Sequence, residues 1–135
     1  MAELYLIRHA QASFGADDYD KLSDLGLNTV KTEIHAGLNE FDFTGLLNAH
    51  YRGRPGPENM HIDRKTHFRT LGDTILAWQA DEIENPPETW AGFGQRVEDA
   101  RQFIMRDGVK TVLALSSGGA ISQMITAALH TPKKQ

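Results

Sequence analysis

Two short apolar runs limit what this chain can fold into: AELYLI at Ala2–Ile7 and KTVLALS at Lys110–Ser116. Each is too short for an ordinary helix, and each reads as a buried strand from its apolar content, with an aromatic residue in the first. Sequence of helix and loop character separates them. The order strand, long helical excursion, strand, glycine turn, helix predicts an α/β domain with a largely parallel sheet, because parallel strands need a long crossover connection.

The intervening sequence divides unevenly. HAQASFGADDYDKLSDLG, rich in Ala, Ser, Asp and Gly, reads as a loop. LNTVKTEIHAGLNEFDFTG has no helix-length period and reads as a loop with one short strand near Thr32–His35. Leu46–Ile62 carries little signal, and YRGRPGPENM, with two Gly and two Pro, is an irregular connection. Two helices follow. In DRKTHFRTLGDTILAWQADEI, the residues Phe68, Leu71, Ile75, Trp78 and Glu82 recur at helical spacing. In ETWAGFGQRVEDARQFIMRDG the stripe is Trp90, Phe93, Val97, Ala100 and Ile104, with Gly108 as a C-cap. NPPE separates the two helices, SSGG forms a tight turn, and AISQMITAALH is a last helix.

Composition excludes several classes. The 135 residues suffice for one domain with a core. A net charge of -4 offers no electrostatic basis for nucleic acid or anionic membrane as a partner. With 0 cysteines, disulfides, thiolate zinc sites and a cysteine nucleophile are ruled out. No HxH or HExxH spacing suggests a metal, and no cofactor is expected. No signal peptide is recognisable, and no apolar stretch nears the ~18–20 residues that span a bilayer. A cytoplasmic location is expected.

In open α/β sheets, ligands bind beyond the carboxyl ends of the strands. The first strand there runs into Arg8–His9, the second into Ser116–Ser117–Gly118–Gly119. Arginine presents a planar fork that matches phosphate oxygens. A neutral histidine has a ring nitrogen able to attack phosphorus. A Gly-Gly turn opening a helix exposes backbone N–H groups to an anion. Each signal is weak alone, and their joint placement strengthens them.

LIRHAQAS resembles the Arg-His-Gly signature of the histidine phosphatase superfamily, the group of phosphoglycerate mutases and acid phosphatases. LNEFDFTG, Leu38–Gly45, resembles that family's segment bearing the catalytic carboxylate. TWAGFGQRVEDARQFI followed by TVLALSSGGAISQMI resembles its late helix, strand and glycine turn. The resemblance covers most of the chain in order, leaving about Leu46–Asp63 unmatched. It implies a single domain over 1–135 folded as a phosphoglycerate mutase-like three-layer sandwich with a mostly parallel central sheet. It also implies a phosphomonoester phosphatase. His9 would accept the phosphoryl group as a phosphohistidine, Arg8 would bind its oxygens, and Glu40 would protonate the leaving oxygen. Arg8, Ser117 and Gly118 would hold the phosphate.

The chain also departs from the family pattern. Ser117 stands where the family has a second histidine. Removing such a donor from a transition-state cage commonly costs ~3–4 kcal/mol. The family's helix, strand and helix with a second arginine are not found, since only LNTVKTEIHAG lies between Gly26 and Leu38. The closing strands are missing as well. A shortened member and a sequence joined across a missing stretch both fit, and the abrupt junction at Leu27–Val30 favours the second. Arg52, Arg54 and Arg64 are candidates for the absent arginine, and His35, His61 and His67 for the absent histidine, though each also reads as a solvated surface group.

Two functions therefore stand: a phosphatase working through His9, and a catalytically impaired relative that binds a phosphorylated ligand or a protein partner. A mutase fits less well, because it must keep a phosphoenzyme dry in a pocket here shortened. A module using exposed sheet edges is a third, weaker reading. The expected partner is a small phosphorylated substrate or phosphate, and the oligomeric state is left open, a homodimer included.

Overall fold

The computed structural model describes residues 3–8, 32–60 and 62–130. His9, His61, the acidic loop with Tyr19 and Lys21, the junction at Leu27–Val30 and the terminal TPKKQ lie outside the described residues.

Strand β1 (Glu3–Arg8) pairs in parallel with β2 (Thr111–Ser116), in a register running from Glu3 opposite Thr111 to Arg8 opposite Ser116. Side chains alternate between the two faces. Leu4, Leu6, Val112 and Ala114 join the core, whereas Tyr5, Ile7, Leu113 and Leu115 are exposed on the opposite face.

The three-layer sandwich with a mostly parallel central sheet is not what the chain builds. Among the described residues there are four α-helices and one two-stranded parallel sheet, which make a small mixed α/β domain. The physical reason lies in the strands. Among the described residues only β1 and β2 pair, and residues 32–35, expected to form a short strand, have no regular structure. A third layer would also need cover over the second sheet face, where Tyr5 is 54% and Leu113 61% exposed. Parallel sheets usually bury both faces.

Four helices supply the rest. α1 (Phe43–His50) begins in the segment expected to be a loop and continues into the low-signal region after Leu46, and Asp42 caps it by accepting the Gly45 N–H at 2.9 Å. α2 (Arg64–Gln79) is capped by Asp63, and α3 (Trp90–Ile104) by Thr89. The α3 stripe is as expected: Phe93, Val97, Ala100 and Ile104 are buried and Trp90 is half-buried. The helix ends at Ile104 with Met105 as C-cap, so Gly108 serves instead in the following turn, at φ +84°.

On α2 the buried face is shifted round from the expected stripe, of which Trp78 is buried and Leu71 and Ile75 are half-buried. Thr70, Thr74 and Trp78 point inward, while Phe68 is exposed and Glu82 lies beyond the helix end. The two threonines bury at little cost because Thr70 Oγ1 donates to Thr66 O and Thr74 Oγ1 to Thr70 O, both at 2.8 Å. Trp78 is the centre of the core, its ring 5.1 Å from Phe41, 5.0 Å from Trp90 and 5.4 Å from Phe93. Its indole N–H donates to Glu88 O at 2.7 Å.

The last helix, α4 (Gly118–Leu129), follows β2 after Ser117 alone. Its glycines are the first helical turn rather than a separate turn. Among the described residues no helix is long and apolar enough to cross a membrane.

Candidate functional site

Arg8 and Ser116 are register partners and the last residues of their strands. That pairing brings the start of α4 next to the end of β1. A β-carbon built on Gly118 would lie 3.6 Å from Cζ and Nε of Arg8 and 3.7 Å from Nη2. The guanidinium is therefore in ordinary contact distance of the first turn of α4, where the backbone N–H groups are free of intrahelical partners.

The cap of α4 differs from the other three. Asp42, Asp63 and Thr89 each cap their own helix by a local side-chain bond. Ser117, the N-cap of α4, makes no such bond. It is buried, 8% exposed, and among the described residues its Oγ has no hydrogen-bond partner. The Gly119 N–H is met instead by a distant residue, donating to Glu40 Oε2 at 2.9 Å. Glu40 Oε1 accepts its neighbour Phe41's N–H at 3.2 Å. A carboxylate thus occupies the positive end of the helix, where anions are favoured.

The segment that carries Glu40 is tied down on several sides. Leading into it, the 3₁₀ helix Ala36–Leu38 lies against α3. Gly37 is buried so close to α3 that a β-carbon would sit 2.8 Å from Ala100 Cβ and collide with the Arg96 carbonyl oxygen. Ser116 Oγ donates to Leu38 O at 2.6 Å and ties the segment to β2. Arg96 Nη1 donates to Asn39 O at 2.8 Å and more loosely to Gly37 O at 3.4 Å. Its Nη2 lies 3.4 Å from Glu40 O. Glu88 grips the same guanidinium at both oxygens, at 2.8 and 2.7 Å.

Of the residues singled out in the sequence, Arg8, Ser117, Gly118 and Glu40 come together at one place, the carboxyl ends of the two strands. His9 follows Arg8 directly and lies outside the described residues. The substitutes for a second arginine are placed otherwise. Arg54 is bonded to His50 O and lies over the Tyr51 ring, and Arg64 lies over Phe68. Arg52 is exposed. His35 accepts the Gly37 N–H at Nδ1 and stacks on Phe103, so it supports the 3₁₀ turn. His67 packs against Phe43 and Phe68 with Nδ1 3.2 Å from Met60 O. Among the described residues no group of three or more His, Asp or Glu side chains is placed to hold a metal ion.

Sequence reasoning passed over Arg96 and Glu88. A signal existed: Arg96 falls three residues after Phe93 and four before Ala100, on the border of the α3 stripe. A charge in that position needs a partner.

Compared with family models, curated proteins and solved structures, the chain matches none.

Proposed function

We propose that the chain is a phosphomonoester phosphatase working through His9. One observation carries the reading: a guanidinium, a helix N-terminus and a carboxylate converge at the ends of both strands, and a histidine follows that arginine in sequence. Arg8 and the first-turn amides of α4 bind the phosphoryl oxygens and offset the charge spread over them. A ring nitrogen of His9 attacks phosphorus as the ester P–O bond breaks. Glu40, in its protonated form, gives its proton to the departing alkoxide. Water then attacks phosphorus, giving a proton back to the Glu40 carboxylate as the P–N bond breaks, and inorganic phosphate and free His9 are released. These steps are those of the histidine phosphatase superfamily, which the motifs around Arg8, Glu40 and Ser117 resemble.

The test is phosphate release from an aryl phosphate by the wild type and by His9→Ala. Hydrolysis that disappears in the variant is the expected result. Equal hydrolysis by both removes His9 as nucleophile.

A second reading rests on Ser117. This buried hydroxyl, in the position of the family's second histidine, cannot carry positive charge. A phosphate binder without turnover would retain Arg8 and α4 as its site. It would bind inorganic phosphate in calorimetry and release none from the ester.

A further inference from the structure

We infer that Arg96, clamped by Glu88, is the positioning residue for Glu40; the inference rests on the reading of Glu40 as the general acid. Glu40 is exposed and sits in a segment whose only regular structure is the three-residue turn before it. A side chain in such a place would ordinarily sample several rotamers. Its backbone, however, is held, and besides the Ser116 bond to Leu38 O one guanidinium makes most of the bonds that hold it. Arg96 reaches the carbonyls of Gly37, Asn39 and Glu40 and so gathers the segment onto α3.

Arg96 could not do this if its own rotamer wandered. Three contacts fix it. Glu88 takes Nε and Nη2 in a two-pronged ion pair, the geometry in which arginine is most directional. The guanidinium also lies over the Phe93 ring, Cζ 4.8 Å from its centroid, and Phe93 is buried. Glu88 in turn is set by its own carbonyl, which accepts the Trp78 indole N–H. The chain of contacts runs from the core at Trp78, through Glu88 and Arg96, to the Glu40 backbone. From there the side chain reaches the Gly119 N–H. The side chains of Arg96 and Glu88 are 26% and 27% exposed, so water weakens the pair only in part.

This arrangement separates two jobs. Arg96 touches no atom that reacts and supplies no proton. It decides where the Glu40 carboxylate stands relative to α4 and Arg8. Loss of Arg96 therefore damages the steps that need an acid and spares those that do not. An aryl phosphate, whose leaving group departs without protonation, is the insensitive substrate; an alkyl phosphate is the sensitive one.

The test uses Arg96→Met, Arg96→Lys and Glu88→Gln, each with two readouts. The first is the Gly119 amide resonance followed against pH, with Glu40→Gln identifying the part caused by Glu40 ionisation. In the wild type the resonance moves as Glu40 ionises. In Arg96→Met, with the fold verified by near-ultraviolet circular dichroism, that movement falls by more than half, and Arg96→Lys retains part of it. If Arg96→Met does not fold, Glu88→Gln decides by the same measurement. A wild-type Gly119 that ignores Glu40, or a movement unchanged in the folded variants, overturns the inference. The second readout is the ratio of aryl to alkyl phosphate turnover, which rises on the order of tenfold in Arg96→Met and more in Glu40→Gln. An active wild type with an unchanged ratio in Arg96→Met also overturns it. If the wild type hydrolyses neither substrate, the phosphatase reading falls, and the Gly119 resonance alone decides whether Arg96 positions Glu40.

Discussion

Glu40 Oε2 accepts the Gly119 N–H at 2.9 Å, joining residues 79 positions apart in the chain. The bond makes one carboxylate both the cap of α4 and the neighbour of the Arg8 site. A phosphate oxygen seeking the same amide must replace it. Glu40→Gln keeps a side-chain oxygen and removes both the charge and the transferable proton. Turnover of alkyl phosphates should fall about 100-fold or more, the usual size of general acid catalysis, while inorganic phosphate binds at least as tightly as to the wild type. Steady-state kinetics and calorimetry check both halves. A loss of turnover below about tenfold removes Glu40 from the acid's role.

Arg8→Lys keeps the charge and loses the planar fork. Inorganic phosphate binding should weaken by about tenfold, and Arg8→Met should abolish it within the range of calorimetry. Equal binding by the wild type and Arg8→Met would move the phosphate site elsewhere.

The two glycines that open α4 should differ sharply. A β-carbon at Gly118 meets Arg8 only at 3.6 Å, an ordinary contact, and alanine lowers the entropy of the unfolded chain. Gly118→Ala should be neutral or stabilise by up to about 1 kcal/mol. At Gly119 a β-carbon would collide with Glu40 Oε1 and sit 2.7 Å from Phe41 Cε1. Gly119→Ala should displace the carboxylate and depress alkyl phosphate turnover more than tenfold, approaching the loss of the general acid. Parallel assays and thermal melts of the two variants separate these outcomes.

Trp78 is 2% exposed and touches three other aromatic rings. Trp78→Ala should cost about 3–5 kcal/mol in urea unfolding. It also strips the carbonyl of Glu88 of its donor. The Gly119 resonance should therefore broaden or shift in the folded fraction.

His50 is held below its usual pKa, first by burial and then by the nearby Arg54 charge. The unfolded chain therefore takes up the proton more readily than the folded one. His50 contributes stability that is fully present above pH 6.5, the ordinary value, and is lost as pH falls through that value towards the lowered one. Urea midpoints measured from pH 7.5 down to 5.5 should drop less steeply in His50→Gln than in the wild type. Identical slopes would remove His50 as a source of the pH dependence.

The elements that declare themselves in the sequence are those whose signal is local. The α3 stripe from Trp90 to Ile104 repeats at helical spacing, and the runs before Arg8 and Ser116 have strand length and composition. α2 was legible as a helix, but its inward face only in part. Thr70 and Thr74 look polar in sequence, and only their bonds to Thr66 O and Thr70 O make them fit for burial. α1 lacked a clear period because it is only eight residues long. The layer count failed for another reason: composition cannot say whether Tyr5 and Leu113 find cover. Arg8, Ser117, Gly118 and Glu40 were legible as chemistry. Their supports, Arg96 and Glu88, were not, because what matters in them is which carbonyls they reach.

The sheet joins β1 and β2 across 108 positions of sequence, Glu3 opposite Thr111 and Arg8 opposite Ser116. Such a pairing closes a long loop, a slow kind of contact for a chain to make. β1 is synthesised before β2 and cannot pair with it until β2 has been made. The helices can gather before then, from contacts close in sequence. Arg8 meets Gly118 only when that loop closes, so the candidate site is a late product of folding, and its appearance in time marks the moment β1 and β2 join.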